Sequence, residues 1–523
     1  MILFNKRIIQ SKQKQAFTAF KQGDIKTAHT LSVSVVSQYP NEDESYFLLA
    51  LINVQVHQYS KATELFKHAI KINDYTRYRV ELAKVYSLQG ISDAVIAIVN
   101  TIDIIQVTSF SQLNTLGVTL SVVGLHSQAL DCFERAIAQK SAPETLYNYA
   151  VSAKFCGQHK QAQTALNKAI LLQPGYHQAH FALADLTQGS ASQDHIVTLQ
   201  GLLTPNNLSI EQTMHLSHAL AKEYEKQKEY ALVYATLLQA KQQKIAHSPY
   251  QRSADIQLFE GLHATLTDVA HQPSSNEGSD SERPIFVVGM PRTGTTLVER
   301  ILSSHSQVTS GGELEDFNLL MKHASQSVSQ SVLDAKVFSA RSDIDFSALA
   351  QAYLTQTAHI GKNQGKFVDK LPFNFFYLPF IRKAFPKARI ICLIRNPLDT
   401  CVGNFKQLFS INNPHYHYTQ SLEDCAWFYQ QFETWISAWR AQDTQFTHIV
   451  HYEKLVANPE LYIRQLLEFC DLPWEPSCLY IEKNTSPVST ASKMQVREPI
   501  NQKSVGRWKN FQPYTSKIEA TFL

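Results

Sequence analysis

The sequence predicts an amino-terminal α-helical solenoid followed by a three-layer α/β domain built on a parallel sheet. Three observations carry that expectation. Small residues recur with a period of 33 to 34 at Ala16, Ala50, Ala83, Gly117, Ala150 and Ala184. An apolar run of strand length, residues 284–289, meets a Gly- and Pro-bearing turn from Gly289 to Gly294, and Leu297, Ile301 and Leu302 leave that turn at helical spacing. Residues 387–394 form a nearly continuous apolar run of the kind that lies in a strand buried on both faces of a parallel sheet.

The solenoid comes first. A second series of residues falls at Gly23, His57, Gly90, Gly124 and Gly157, alanines follow at Ala28, Ala62, Ala129 and Ala162, and a further set stands at Ala69, Ala136 and Ala169. Pro40 and Pro174 close units, and the third unit carries Val95 and Ile102 in place of the alanines. The pattern resembles the tetratricopeptide repeat, in which two antiparallel helices per unit need small residues where they approach closely. Ala221, Val233 and Ala240 fit one more helix pair. Such an array presents a concave face suited to peptides, so it either recruits an acceptor protein, mediates a homodimer, or only packs against the rest of the chain.

Residues 271–282 are polar and rich in Ser, Gly and Pro, the composition of a linker. The expected organisation is therefore a solenoid over residues 1–250, a connecting helix and linker over 251–282, and an α/β domain over 283–523. At 523 residues, two or more cores are in any case expected. A formal charge of +3 makes no general case for nucleic acid or membrane binding. Seven scattered cysteines without C-x-x-C spacing suit a reducing compartment, and no run of 18 apolar residues occurs. A cytoplasmic location is the expectation.

The α/β domain opens on the turn that organises its chemistry. Gly289 and Gly294 stand at the spacing of G-x-x-x-x-G-K-[ST], whose backbone N–H groups and helix N-terminus hold phosphates. Thr295 occupies the lysine position, which disfavours a nucleoside triphosphate kinase, and Arg292 is the loop's cation. The string Pro291, Arg292, Thr293, Gly294, Thr295, Thr296 resembles the 5′-phosphosulfate loop of sulfotransferases that use 3′-phosphoadenosine 5′-phosphosulfate (PAPS), in particular the tyrosylprotein sulfotransferases and their bacterial relatives with tetratricopeptide repeats. That family usually has Ser at the position of Thr293.

The resemblance extends to four further segments. Glu313 stands where the family places its catalytic base, although Gly312 replaces the preceding acid and Glu315 does not fill that place; by itself Glu313 reads as a solvated loop carboxylate. Lys370, two residues before Pro372, aligns with the lysine that approaches the bridging oxygen of the phosphosulfate. Arg395, at the end of the 387–394 run, aligns with the arginine that holds the 3′-phosphate, while Gly403 stands where a serine hydroxyl is expected. Asn404, Lys406 or a helix N-terminal N–H could supply the missing contact, and restoring the hydroxyl with Gly403→Ser is expected to tighten nucleotide binding. Residues 448–456 read as another strand, in which Tyr452 is either near the adenosine or a structural aromatic. In the last segment Ser492 aligns with the serine on the sulfuryl group and Arg507 with the basic residue before Trp508.

The resemblance therefore implies in-line transfer of a sulfuryl group from PAPS, without a metal, to a hydroxyl on a protein tyrosine, a small phenol or a glycan. Fixed cations at Arg292 and Lys370 would stabilise the charge that builds on the departing phosphate. A repeat scaffold carrying a catalytically idle nucleotide-binding domain is the alternative from another class.

Overall fold

The computed structural model describes residues 2–187, 191–204, 207–266, 278–327, 333, 335–339, 344–363, 365–484 and 498–522. It divides into two compact units, Met1–Thr187 and Gln188–Leu523.

The first unit consists of antiparallel helix pairs, such as Asp43–Gln55 with Tyr59–Ile72 and Pro143–Phe155 with His159–Leu172. The two periodic series have different physical causes. Ala16, Ala50, Ala83, Ala150 and Ala184 are buried where helices meet, and a Cβ on Gly117 would stand 2.7 Å from the Phe133 ring. The second series marks the corner within each pair: Gly23, Gly90, Gly124 and Gly157 have φ between 74° and 81°, and His57 takes the same left-handed conformation at 59°. In the third unit, where Val95 and Ile102 replace alanines, the second helix is cut to Ser92–Val99 and a 3₁₀ turn at Ile104–Gln106 follows.

The second unit contains helices Gln193–Leu203, Ile210–Lys226, Tyr230–His247 and Arg252–Ala264, which sequence reasoning assigned to the end of the solenoid and its connection. Helix Gln193–Leu203 packs on Ile210–Lys226, and the other three have partners in the α/β part. The Lys241 ammonium donates to the Thr419 carbonyl at 2.8 Å, Lys406 pairs with Glu225, and the Tyr234 ring stacks on Tyr514 with centroids 3.9 Å apart. Phe259 sits among Phe375, Phe376 and Phe428. Most of the expected linker, residues 271–277, lies outside the described residues. No described helix is long and apolar enough to cross a membrane.

The sheet has five parallel strands, β1 (Pro284–Gly289), β2 (Val308–Gly312), β3 (Lys366–Asp369), β4 (Arg389–Ile394) and β5 (Thr447–His451), in the order β2-β3-β1-β4-β5. The central β1 is buried along its whole length, as its unbroken apolar run requires. On one face, Ile285, Val287, Ile391 and Leu393 pack with Val298, Ile301 and Leu302 of helix Thr295–Leu302 and with Ile463 and Leu466 of helix Pro459–Phe469. On the other, Phe286 and Phe367 meet Tyr353, and Phe317 and Phe385 complete an aromatic layer. The expected strand over 448–456 ends at His451, and Tyr452 starts the helix Tyr452–Ala457.

Parallel strands deliver their carboxyl ends to one edge of a sheet, the usual position of a ligand crevice. Arg292, Glu313, Lys370, Arg395 and Tyr452 each follow one of the five strands by no more than three residues. Chain-remote residues singled out from the sequence thus arrive at a single edge.

Candidate functional site

The loop after β1 is built from unusual backbone. Gly289, Arg292 and Gly294 have φ of 148°, 70° and 107°, and Arg292 is one of the few non-glycine residues held in that region. Thr293 donates its hydroxyl to the Met290 carbonyl at 2.7 Å and is fully buried, so the hydroxyl conserves the loop's shape. Gly294 caps helix Thr295–Leu302, and its carbonyl accepts the N–H groups of Leu297 and Val298. A Cβ on Gly294 would stand 2.6 Å from the Tyr452 ring, so glycine is required there by close approach as well as by φ. The helix N-terminus behind the loop favours an anion.

Tyr452 is 8% exposed and lies between Gly294 and Arg395, whose guanidinium is 4.5 Å from the ring centroid. It braces the loop against the end of β5. Glu453 accepts the Asn396 N–H at 2.8 Å and joins the ends of β4 and β5.

Arg395 is the hub of this half of the site. Its Nη1 donates to the Arg292 carbonyl at 3.0 Å, its Nη2 donates to the Ser504 carbonyl, and Asp399 lies 3.8 Å away. Its buried Nε has no hydrogen-bond partner among the described residues. An unsatisfied guanidinium N–H beside a positive-φ loop and a helix N-terminus fits an anionic ligand. The closing segment is fastened by Asp399, which accepts the N–H groups of Gly506 at 2.7 Å and Trp508 at 2.9 Å. Arg507, between those two anchors, is exposed and donates its Nε–H to the Lys503 carbonyl. Ser492 lies outside the described residues.

The structure adds a steric consideration to the expectation for Gly403. A Cβ there would stand 3.2 Å from Cβ of Arg292, so the glycine makes room for the arginine stem and an added side chain would press on the loop. Of the three proposed substitutes for the serine, both side chains are engaged elsewhere. Asn404 donates to the Pro291 carbonyl at 2.7 Å and the Thr400 carbonyl at 2.9 Å while accepting from the Tyr418 hydroxyl at 2.8 Å. Lys406 pairs with Glu225 and lies 5.1 Å from the centroid of the Phe511 ring.

At the opposite side of the loop, Lys370 and Glu313 form a direct ion pair. The lysine side chain is 1% exposed and the glutamate 39%, so the pair joins a buried cation to a carboxylate open to solvent. Gly312, standing in place of the family's first acid, has φ 74° and gives its carbonyl to the Lys370 N–H at 2.8 Å. Glycine relieves the backbone strain that a glutamate would meet there. Glu313 and Glu315 both act electrostatically on Tyr416, whose hydroxyl is pushed up to about 12, chiefly by burial.

Two ionisable residues in the site were not foreseen. Glu299, on helix Thr295–Leu302, lies behind Lys370 with its Oε2 3.7 Å from the ammonium. Asp369, next to Lys370, is buried and accepts the Tyr353 hydroxyl at 2.8 Å; burial raises its carboxyl to about 8. The available signal was an acid closing a short apolar strand at 369; Glu299, beside Arg300 in its helix, gave none.

Residues 284–476 match the model of the Sulfotransferase family, and residues 143–176 match that of the tetratricopeptide repeat. An uncharacterized protein of Aquifex aeolicus is 29% identical over 366 residues, 69% of this chain and 48% of that protein. Protein-tyrosine sulfotransferase 1 of Danio rerio is 26% identical over 270 residues, 48% of this chain and 72% of its own. The protein-tyrosine sulfotransferase of Drosophila melanogaster is 25% identical over 240 residues, 43% of this chain and 46% of its own. The chain thus spans about half the length of the Aquifex and Drosophila relatives. Among solved structures, the sulfotransferase domain from the curacin biosynthetic pathway is 18% identical over 46% of this chain and 99% of its own, with a TM-score of 0.32. YrrB, a TPR protein with an unusual peptide-binding site, is 17% identical over 34% of this chain and 95% of its own, with a TM-score of 0.28.

Proposed function

We propose that the sulfotransferase-family domain spanning residues 284–476 transfers a sulfuryl group from PAPS to an acceptor hydroxyl, a tyrosine of a protein being the favoured acceptor. The observation that carries this reading is the arrangement of Arg292, Glu313, Lys370 and Arg395 after four parallel strands, with one loop holding the first and bonded to the last. The similarity to protein-tyrosine sulfotransferases supports the choice of acceptor.

In this reading PAPS supplies the sulfuryl group and departs as adenosine 3′,5′-bisphosphate (PAP). Glu313 accepts the proton of the acceptor hydroxyl as its oxygen bonds to sulfur. The sulfur–oxygen bond to the phosphate breaks with its electron pair left on the phosphate, and Arg292 and Lys370 stabilise that charge. Preorganised cations in a site shielded from water are effective because they need no reorganisation at the moment of reaction. Arg395 holds the 3′-phosphate, and the segment pinned by Asp399 covers the nucleotide. The repeats of the first unit present acceptor polypeptides.

Incubation of the full chain with radiolabelled PAPS and a bacterial lysate tests the reading. Label is expected in protein, released as tyrosine sulfate on alkaline hydrolysis, with stoichiometric PAP. Failure of PAP to bind in calorimetry would refute it in favour of an idle scaffold.

A further inference from the structure

The ion pair at the centre of the site poses a chemical difficulty. A carboxylate oxygen that already holds an ammonium has to release it before it can receive a proton from an acceptor hydroxyl. Glu313 holds the Lys370 ammonium in this way.

Glu299 offers the lysine a second seat. It is 5% exposed, and its Oε1 accepts the Ser310 hydroxyl at 2.6 Å. Its Oε2 has no hydrogen-bond partner among the described residues, yet the Lys370 ammonium is 3.7 Å from it, within ion-pair range and beyond hydrogen-bond reach. A buried carboxylate oxygen left unsatisfied is costly, so this atom attracts the nearest mobile donor. Ser310 also accepts the Gly312 N–H at 3.2 Å, which ties Glu299 to the backbone that carries Glu313. The charged groups facing Glu299 are Lys370 from the end of β3, Glu313 from the loop after β2, and Arg300 from its own helix. Burial raises the Glu299 carboxyl, and Lys370 opposes that effect.

We propose that Glu299 is a positioning residue that draws the Lys370 ammonium away from Glu313, leaving the Glu313 carboxylate free to accept the acceptor's proton. The inference rests on the sulfuryl-transfer reading above. Two carboxylates and one ammonium carry a net charge of −1; the lysine moves between the two acceptors, and the cluster never contains a bare buried cation.

The test is the pH dependence of kcat in the full chain, together with PAP binding by calorimetry. In Glu299→Gln the alternative charge is gone and Lys370 stays on Glu313. The acid limb of the kcat profile should move down by about one pH unit and kcat should fall ten-fold or more, while PAP binds as tightly as before or more tightly. Glu299→Asp, which keeps the charge, should retain the wild-type acid limb. An unmoved acid limb in Glu299→Gln, an equal displacement in Glu299→Asp, or a loss of PAP affinity in step with kcat would overturn the proposal in favour of a purely structural role. Should Glu299→Gln not fold, Ser310→Ala decides: the Ser310 hydroxyl favours the charged form of Glu299, so its loss weakens the pull on Lys370, and an acid limb moved downward supports the proposal while an unmoved one overturns it. Wild-type protein that neither binds PAP nor transfers label would instead sink the sulfuryl-transfer reading itself, and this inference with it.

Discussion

Replacing Gly403 separates the sequence expectation from the structural one. The expectation was a gain, since a serine there would restore a hydroxyl to the 3′-phosphate. In the structure a Cβ at 403 lies 3.2 Å from Cβ of Arg292, closer than ordinary van der Waals contact, so one side must yield by a few tenths of an ångström. Neither side has much freedom. The Arg292 carbonyl is bonded to Arg395 at 3.0 Å, and the Pro291 carbonyl to Asn404 at 2.7 Å, one residue along the helix from Gly403 itself. Overpacking of a tight site costs about 1 to 3 kcal/mol. If that strain falls on the ligand-holding form of the loop, PAP affinity drops roughly 5- to 150-fold. Calorimetric titration of PAP into wild type, Gly403→Ala and Gly403→Ser measures it, the alanine isolating the Cβ from the hydroxyl. Both variants should bind more weakly. Unchanged binding by Gly403→Ala, with tighter binding by Gly403→Ser, would refute the steric argument and restore the missing-hydroxyl account.

Three further outcomes are expected. Glu313→Ala should lower turnover by about 10² to 10⁴, the usual contribution of a positioned base, without weakening PAP binding, and Glu315→Ala should do far less; stopped-time assays with labelled PAPS would show a misplaced base if the order were reversed. Arg395→Ala should weaken binding of PAP by about 2 kcal/mol more than binding of adenosine 5′-phosphosulfate, which lacks the 3′-phosphate, whereas equal losses in calorimetry would mean that the arginine only braces the Arg292 and Ser504 carbonyls. Asp369 has its carboxyl raised to about 8, chiefly by burial, so between the unfolded value near 4 and that point the folded state binds the extra proton and stability falls as pH rises. Melting temperatures from pH 5 to 8 should therefore decline more steeply in wild type than in Asp369→Asn, by up to about 1.4 kcal/mol of stability per pH unit, and parallel slopes would contradict a neutral Asp369.

The site was legible to the extent that its parts are local. A glycine at 294 is demanded by the chain's own turn into a helix, and Arg395 follows a strand whose apolar run is visible over 389–394. The hidden parts depend on chain-remote partners. Glu299 reads in sequence as one more polar position on an amphipathic helix, and Asp399 as an acid in the first turn of another. Nothing nearby in the chain announces that the first faces Lys370 or that the second holds Gly506 and Trp508. Asn404 and Lys406 were visible as polar candidates near Arg395, but their engagement with Pro291 and Glu225 was not.

By itself the sequence determined the repeat period, the strand–loop–helix unit and the residues that carry its charge. These follow from short-range sterics and from the periodicity with which a helix or strand buries one side. Tertiary structure decided which charges meet. Lys370 finds Glu313 across 57 residues, Arg395 finds Arg292 across 103, and Asn404 finds Pro291 across 113. Those pairings follow from the strand order β2-β3-β1-β4-β5, which sets loops from distant parts of the chain side by side. Charge and hydrogen-bond interactions act through space at a few ångströms, so their partners are fixed by the packed sheet and cannot be read along the chain.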